Sequence, residues 1–214
     1  MTECDPEETR SSYDRIAAEY VRHVYDELRH KPLDRGLLDR FAAAMKGAGP
    51  VCDLGCGPGQ IARYLHDRGV DASGLDLSPD MIALARTLNP GLAFHVGDLR
   101  ALPFASGELA GIAAFYSIIH VPRGQVAAAL RESARVLRPG GRLLLAFHVG
   151  DEVRRVEELW GEPVRLDFVF FEVGEMRGYL EAAGFEVAEV VEREPYPDVE
   201  AQTRRAYVFA SRFN

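Results

Sequence analysis

The sequence predicts an α/β fold: a Rossmann-like seven-stranded sheet, mostly parallel with an antiparallel C-terminal strand, and helices on both faces. Three observations predict it. From Val51 onward, short apolar runs alternate with helical stretches, the pattern of a parallel sheet covered by its crossovers. A glycine-rich turn, Gly55-Cys56-Gly57-Pro58-Gly59, joins the first run to the helix that follows. The chain closes with two strand-like runs that have no helix between them.

Each element has its own signal. Ser11 to His30 carries Tyr13, Ile16, Ala17, Tyr20, Val21 and Val24 at helical spacing and is stopped by Pro32. A second helix is expected from Leu33 to Met45, before the break at Gly47, Gly49 and Pro50. Strands are expected at Val51–Leu54, Val70–Asp76, Ala93–Val96, Leu109–Tyr116 and Arg142–His148. Between them the pattern gives helices at Gln60–Asp67, Pro79–Leu88 and Arg123–Val136. Ser78 suits the cap and Pro79 the first turn of the second of these. After His148 the rhythm breaks: residues 150–172 read as a lid or insertion, with Trp160 and the cluster Phe168, Phe170 and Phe171. A helix over Glu175–Ala183 stops at Gly184, and strands follow at Phe185–Glu194 and Arg204–Phe213.

At 214 residues the chain suits one domain, 1–214, with residues 1–46 as a helical cover ahead of the sheet. A composition of 47% hydrophobic and 27% charged residues belongs to a protein with a packed core. The formal net charge of -8 and the lack of any long basic run argue against nucleic acid as a partner. No window has the length of a membrane span, and Met1–Ser12 is acidic and polar, unlike a secretory signal. A cytoplasmic protein, monomeric or homodimeric, is the resulting expectation. Cys4, Cys52 and Cys56 cannot all pair within the chain. Nothing at ligand distance follows Cys52 and Cys56 before His66, so they read as small residues at a tight turn and no metal is expected.

The glycine turn carries the chemistry. Glycines at 55, 57 and 59 let the backbone turn sharply and approach a ligand at the carboxyl edge of the sheet. Nucleotides, dinucleotides and adenosyl compounds all use such a turn, so its neighbours decide. Asp53 immediately precedes it, and Asp76 ends the second strand, where a carboxylate can accept from both hydroxyls of a ribose. Asp98, in Val96-Gly97-Asp98-Leu99, can accept from an exocyclic adenine amine or serve as an ordinary turn residue.

These residues resemble those of the class I S-adenosylmethionine-dependent methyltransferases of small-molecule type. The first motif of that family reads acidic, apolar, Gly, x, Gly, x, Gly, and Asp53 to Gly59 matches it position by position. The likeness runs from about Ser12 to His148 and includes the turn Leu137-Arg138-Pro139-Gly140-Gly141, and the terminal strand pair fits the family's antiparallel close. It implies S-adenosyl-L-methionine as cofactor, S-adenosyl-L-homocysteine as product, and methyl transfer to O or N of a small molecule. It places Gly55, Cys56 and Gly57 around the methionine part, counts Gly59 among the cofactor-binding residues, and has Asp53 orienting the turn. It assigns Asp76 and Leu77 to the ribose, Met81, Asp98 and Leu99 to the adenine, and Tyr13 and Phe115 to the cofactor's cover. A binding protein without transfer chemistry shares these features. A nicotinamide oxidoreductase fits less well, because its turn spaces the third glycine one residue later. The Tyr and Lys pair of short-chain dehydrogenases is also missing, the two lysines being Lys31 and Lys46.

His120, after the fourth strand, and His148, ending the fifth, are the expected bases, imidazoles being suited to take a proton near neutrality. The rival reading, an interior imidazole held by a structural hydrogen bond, outweighs the catalytic one for both. Tyr20, Tyr116, Trp160, Phe168, Phe170 and Tyr196 are expected to line the acceptor pocket, where an aromatic wall suits an apolar or aromatic molecule.

Overall fold

Alternation within the first strand already places the sheet at the centre of the molecule. The computed structural model describes residues 5–213. In β1 (Val51–Leu54) every residue is buried: Cys52 and Leu54 join the core on one face, Val51 the core on the other. With period-two side chains, burial on both faces requires a layer of helices on each.

The chain runs α1 (Pro6–Val24), a short 3-10 turn at Glu27–His30, α2 (Pro32–Met45), β1, α3 (Gln60–His66), β2 (Ala72–Asp76), α4 (Pro79–Leu88) and β3 (Ala93–Val96). It continues through β4 (Leu109–Phe115), a 3-10 turn at Ile118–His120, α5 (Arg123–Val136) and β5 (Leu137–His148). After β6 (Val153–Leu159) and β7 (Glu162–Val169) come α6 (Val173–Ala182), β8 (Phe185–Arg193) and β9 (Arg205–Arg212). The main sheet has the order β3-β2-β1-β4-β5-β9-β8. β1 to β5 pair in parallel, and β9 lies antiparallel between β5 and β8. The fold class agrees with the sequence. Among the described residues no helix is long and apolar enough to cross a membrane.

Several boundaries moved. The first helix begins at Pro6, with Asp5 accepting from the Glu7 N–H as its cap, and gives way after Val24 to the 3-10 turn. Ser78 caps α4 through the Met81 N–H at 3.0 Å, as its sequence indicates. The turn expected at Leu137–Gly141 is instead looped out of a longer β5: pairing with β4 jumps from Leu137 to Arg142. Residues 150–172 hold a hairpin, β6–β7, that forms its own two-stranded sheet. Cys4 lies outside the described residues, while Cys52 and Cys56 are buried free thiols.

α1 is held at three places. Ser78 Oγ donates to Asp14 Oδ1 at 2.6 Å, which fastens the helix to the start of α4. Ser12 Oγ accepts from the Arg165 N–H at 2.9 Å, and Ile16 packs with Val164 and Leu166 of β7. The helix therefore lies across the carboxyl edge of the sheet, with the hairpin at its back.

Candidate active site

Backbone conformation builds the site first. Gly55, Gly57 and Gly59 all have positive φ (72°, 50° and 87°), which L side chains adopt only at a cost. At Gly55 a Cβ would also come within 2.2 Å of Ser117 Cβ, so the turn after β1 and the turn after β4 meet over a bare backbone. Asp76 ties the turn down: its Oδ2 accepts from the Gly57 N–H at 2.8 Å and its Oδ1 from the Ser78 N–H at 2.9 Å. Burial raises its pKa against these two hydrogen bonds. Asp53 Oδ2 accepts from the Ala62 N–H at 3.1 Å, and burial pushes its carboxyl up to about 8.

Two cavities open on this edge. One is lined by Tyr13, Tyr20, Gly55, Gly57, Asp76, Leu77, Met81, Asp98, Leu99, Phe115, Tyr116 and His120, among others. The other, of about 690 Å³, is lined by Asp53, Cys56, His148, Trp160 and Phe168, and by Glu27, Lys31, Glu200 and Arg205 from α2's approach and the loop before β9. Tyr13, Tyr20, Gly55, Phe115, Tyr116 and His120 belong to both walls, so the cavities meet at these six.

His120 sits at that junction. Its Nδ1 is 3.0 Å from the Asp167 carbonyl oxygen, which can only accept, so Nδ1 carries the ring proton. Nε2 then accepts from the Tyr13 hydroxyl at 2.7 Å. Burial pulls the His120 imidazole down to about 4, so it is neutral at pH 7. His148 stacks between Tyr116 and Phe170 at centroid distances of 5.1 Å each. Burial first, then the neighbouring Arg205 cation, pull it down to about 3. Tyr116 itself has φ 56°, and its buried hydroxyl lies 2.9 Å from that of Tyr207, which donates to Asp34. Left-handed backbone at a bulky residue costs energy and persists where surrounding contacts enforce it.

Three of the residues expected in the site stand behind it. Phe170 backs His148 without lining either cavity. Tyr196 is turned away: its hydroxyl accepts from the Leu33 N–H at 3.0 Å and its ring lies under Arg193. Gly59 begins α3, where a Cβ would strike Phe94 at 2.7 Å, so it serves close packing. Asp98 lines the first cavity but is engaged by Arg100, whose Nε donates to Oδ1 at 2.9 Å. Burial would raise its carboxyl, but the Arg100 hydrogen bonds hold it below the ordinary value.

The structure adds residues that the sequence did not single out. Ser117 Oγ is buried beside Gly55 without a hydrogen-bond partner among the described residues, and Ser117 lines the first cavity. Lys31, Glu200 and Arg205 form the far wall of the second, Lys31 Nζ and Glu200 Oε2 being 3.2 Å apart. No local pattern marks them, because they come together from opposite ends of the chain.

Known proteins give the same picture. A family model described as a methyltransferase domain matches residues 51–141. The malonyl-[acyl-carrier protein] O-methyltransferase of Enterobacter lignolyticus is 31% identical over 160 residues, 75% of this chain and 61% of that protein. The demethylmenaquinone methyltransferase of Beutenbergia cavernae is 34% identical over 145 residues, 66% of this chain and 58% of that protein. The chain thus matches about three fifths of the length of these relatives. In fold, it resembles the magnesium protoporphyrin IX methyltransferase of Synechocystis, solved with bound S-adenosylmethionine, with a TM-score of 0.74 at 18% identity, covering 99% of this chain and 98% of that one. It also resembles the [4+2]-cyclase SpnF, with a TM-score of 0.71 at 18% identity, covering 100% and 98%. The motif match over the glycine turn, the strand order and these relatives agree: the chain carries a methyltransferase domain of the class I S-adenosylmethionine-dependent type.

Proposed function

We propose that the protein binds S-adenosyl-L-methionine in the first cavity and transfers its methyl group to O or N of a small molecule in the second, leaving S-adenosyl-L-homocysteine. The observation that carries this is the shared wall: six residues line both cavities, so a methyl group at their junction reaches an acceptor without crossing solvent.

The residues present fit the cofactor. The cradle at Gly55 and Gly57 has no side chain to obstruct a ligand, and the orphaned Ser117 hydroxyl offers a hydrogen bond beside it. Each Asp76 oxygen has one lone pair engaged by a backbone N–H, and the remaining pairs suit two ribose hydroxyls. Met81 and Leu99 supply apolar contact for the base, with Leu77 beside the ribose and Asp98 near the amine edge. Gly55 and Gly57 face the methionine part, Cys56 between them lines the second cavity instead, and Asp53 holds the turn from below through Ala62. Tyr13 closes over the ligand with α1.

When bound, the sulfonium supplies an electrophilic methyl whose departure leaves a neutral thioether. The protein's part is chiefly alignment, which can contribute about 7 to 11 kcal/mol. Tyr20, Phe115 and Tyr116 pack the junction and exclude water from it. When a hydroxyl is methylated His120 removes the released proton, Tyr13 passing it on to Nε2, whereas a methylated amine keeps its proton as an ammonium and needs no base. A protonated ether is far more acidic than imidazolium, so a weak base suffices. Tyr20, Tyr116, Trp160 and Phe168 form the acceptor's aromatic surroundings. The acidic surface suits a small-molecule acceptor rather than nucleic acid, and the protein acts in the cytoplasm as a monomer or homodimer.

Calorimetry with S-adenosylhomocysteine tests the cofactor site. Hydrogen bonds to a charged group contribute about 1.5 to 3 kcal/mol, so Asp76→Ala should weaken binding by roughly ten- to a hundredfold. An unchanged Kd removes the ribose assignment. Formation of S-adenosylhomocysteine with a panel of phenols and amines separates transfer from binding alone, since a binding protein forms none.

A further inference from the structure

The hydrogen-bond partners of the two imidazoles of the site place their ring protons on opposite nitrogens. Thr203, buried in the loop before β9, has its Oγ1 2.9 Å from His148 Nδ1. Among the described residues the hydroxyl hydrogen has one other acceptor in reach, the Ala201 carbonyl oxygen at 3.5 Å. That oxygen already accepts from the Thr203 N–H at 2.8 Å and from Arg205 Nη2 at 3.0 Å, so both its lone pairs are used. The hydroxyl hydrogen therefore goes to Nδ1. A neutral imidazole carries one hydrogen, and it must then sit on Nε2. No described residue bonds Nε2, and the ring forms part of the second cavity's wall.

We propose that His148 is a specificity-determining hydrogen-bond donor, its Nε2–H directed into the second cavity by the positioning residue Thr203, and that it selects uncharged acceptors bearing a carbonyl or ether oxygen besides the nucleophile. The inference rests on the methyltransferase reading above and names the acceptor class for the same site. His120 shows the opposite arrangement, with Nδ1 donating and Nε2 accepting, so one imidazole takes a proton and the other offers one. The selection against charge comes from the cavity's far wall. Lys31 is paired with Glu27 and Glu200, and Arg205, whose buried Nε has no hydrogen-bond partner among the described residues, is ion-paired with Glu200 Oε2 at 3.3 Å, so each lining cation already faces a carboxylate that an anionic acceptor would have to displace. Arg205 beside His148 also disfavours a second proton on the ring. Thr203 is fixed in turn by Arg205, whose Nη1 donates to the Thr203 carbonyl at 2.6 Å.

The tautomer is read directly by two-bond ¹H–¹⁵N correlation of ¹⁵N-histidine-labelled protein loaded with S-adenosylhomocysteine, with His148→Gln supplying the assignment. The expected spectrum has a protonated Nε2 and an unprotonated, hydrogen-bonded Nδ1. Thr203→Val should shift the ring toward the Nδ1–H form, and Thr203→Ser should restore the wild-type pattern. A protonated Nδ1 in the wild type, or a spectrum indifferent to Thr203→Val in protein that still binds S-adenosylhomocysteine, overturns the inference. The acceptor class is tested with 3-hydroxyacetophenone and 3-ethylphenol, which differ in the carbonyl oxygen, by ligand-observed NMR on the same complex. The ketone should bind roughly three- to tenfold tighter, and His148→Phe should erase the preference. Equal affinities, or no binding of either, overturn the class. Loss of S-adenosylhomocysteine binding by the wild type would instead undo the underlying reading, so the two failures are distinguishable.

Discussion

A single buried carboxyl gives the site a measurable signature. Asp53 is pushed up to about 8 by burial, whereas an exposed aspartate titrates near 3.8. Between these values the folded protein holds a proton that the unfolded chain has lost, so this group's contribution to stability falls as pH rises from about 4 to about 8. Asp53→Asn keeps an oxygen for the Ala62 N–H and cannot ionise. Its thermal midpoint should therefore gain on the wild type between pH 5 and pH 8, and parallel curves in scanning calorimetry would contradict the buried, protonated carboxyl. His120 makes an independent prediction. Held at about 4 by burial, it is already unprotonated throughout the neutral range. If it receives the acceptor's proton, kcat should be flat in this group from pH 6 to 8 and fall only as pH drops through about 4, where Nε2 is filled. An inflection near 6.5 that disappears in His120→Gln would show a differently poised base.

At the scale of elements, α1 lines both cavities, and the β6–β7 hairpin walls the second through Leu159, Trp160 and Phe168. The hairpin turns through Trp160 and Gly161, both at positive φ (53° and 82°), between the paired residues Leu159 and Glu162. Such a two-residue turn favours Asn-Gly, and tryptophan is a costly occupant of its first position. What holds Trp160 there is its ring, stacked on His23 at 4.6 Å and edge-on to Tyr20 at 5.8 Å. Trp160→Asn exchanges this packing for a better turn. The thermal midpoint should stay within a few degrees of wild type, while the acceptor's KM rises about tenfold or more as one cavity wall is lost. A large drop in midpoint with unchanged KM would place Trp160 in the scaffold instead.

At the scale of the whole molecule, the acceptor wall depends on charges drawn from α2, β8 and β9. Asp34 and Glu200 are buried with Arg193 between them, and Lys31 and Arg205 complete the group. Burial alone would raise the Glu200 carboxyl, but hydrogen bonds from Arg193 and the Tyr196 N–H, with Lys31 and Arg205 nearby, hold it at about 2. Its contribution is present above the ordinary value of 4.5 and is lost as pH falls from there toward 2. Removing one partner of a buried network typically costs about 3 to 5 kcal/mol, because the cations left behind stay buried. Glu200→Gln should thus destabilise the protein strongly at pH 7 and flatten its acid unfolding between pH 4.5 and 2, as followed by circular dichroism. An effect below about 1 kcal/mol would mean that water, not Glu200, solvates these cations.

Sequence and structure divide the account along the reach of local interactions. Periodicity gave α4 and α5 to the residue, since helix starts and stops are written in caps, prolines and apolar spacing. The motif Asp53–Gly59 with Asp76 marked the cofactor cavity because its parts lie on adjacent strands of a topology with few alternatives. The acceptor side was much less legible. Phe170 and Tyr196 were expected there by residue type, yet Phe168, within β7, enters the cavity while Phe170, beyond the strand's end at Val169, packs behind His148. Thr203, Lys31 and Glu200 carry no local signal at all, and they meet His148 only once β9 slots between β5 and β8. The sequence by itself determined the sheet, the glycine turn and the carboxylate at its foot, Asp76, because backbone conformation and side-chain periodicity are properties of a few consecutive residues. The tertiary structure alone decided which nitrogen of each imidazole holds its proton and how the second cavity is walled, because those depend on partners more than 40 residues away along the chain.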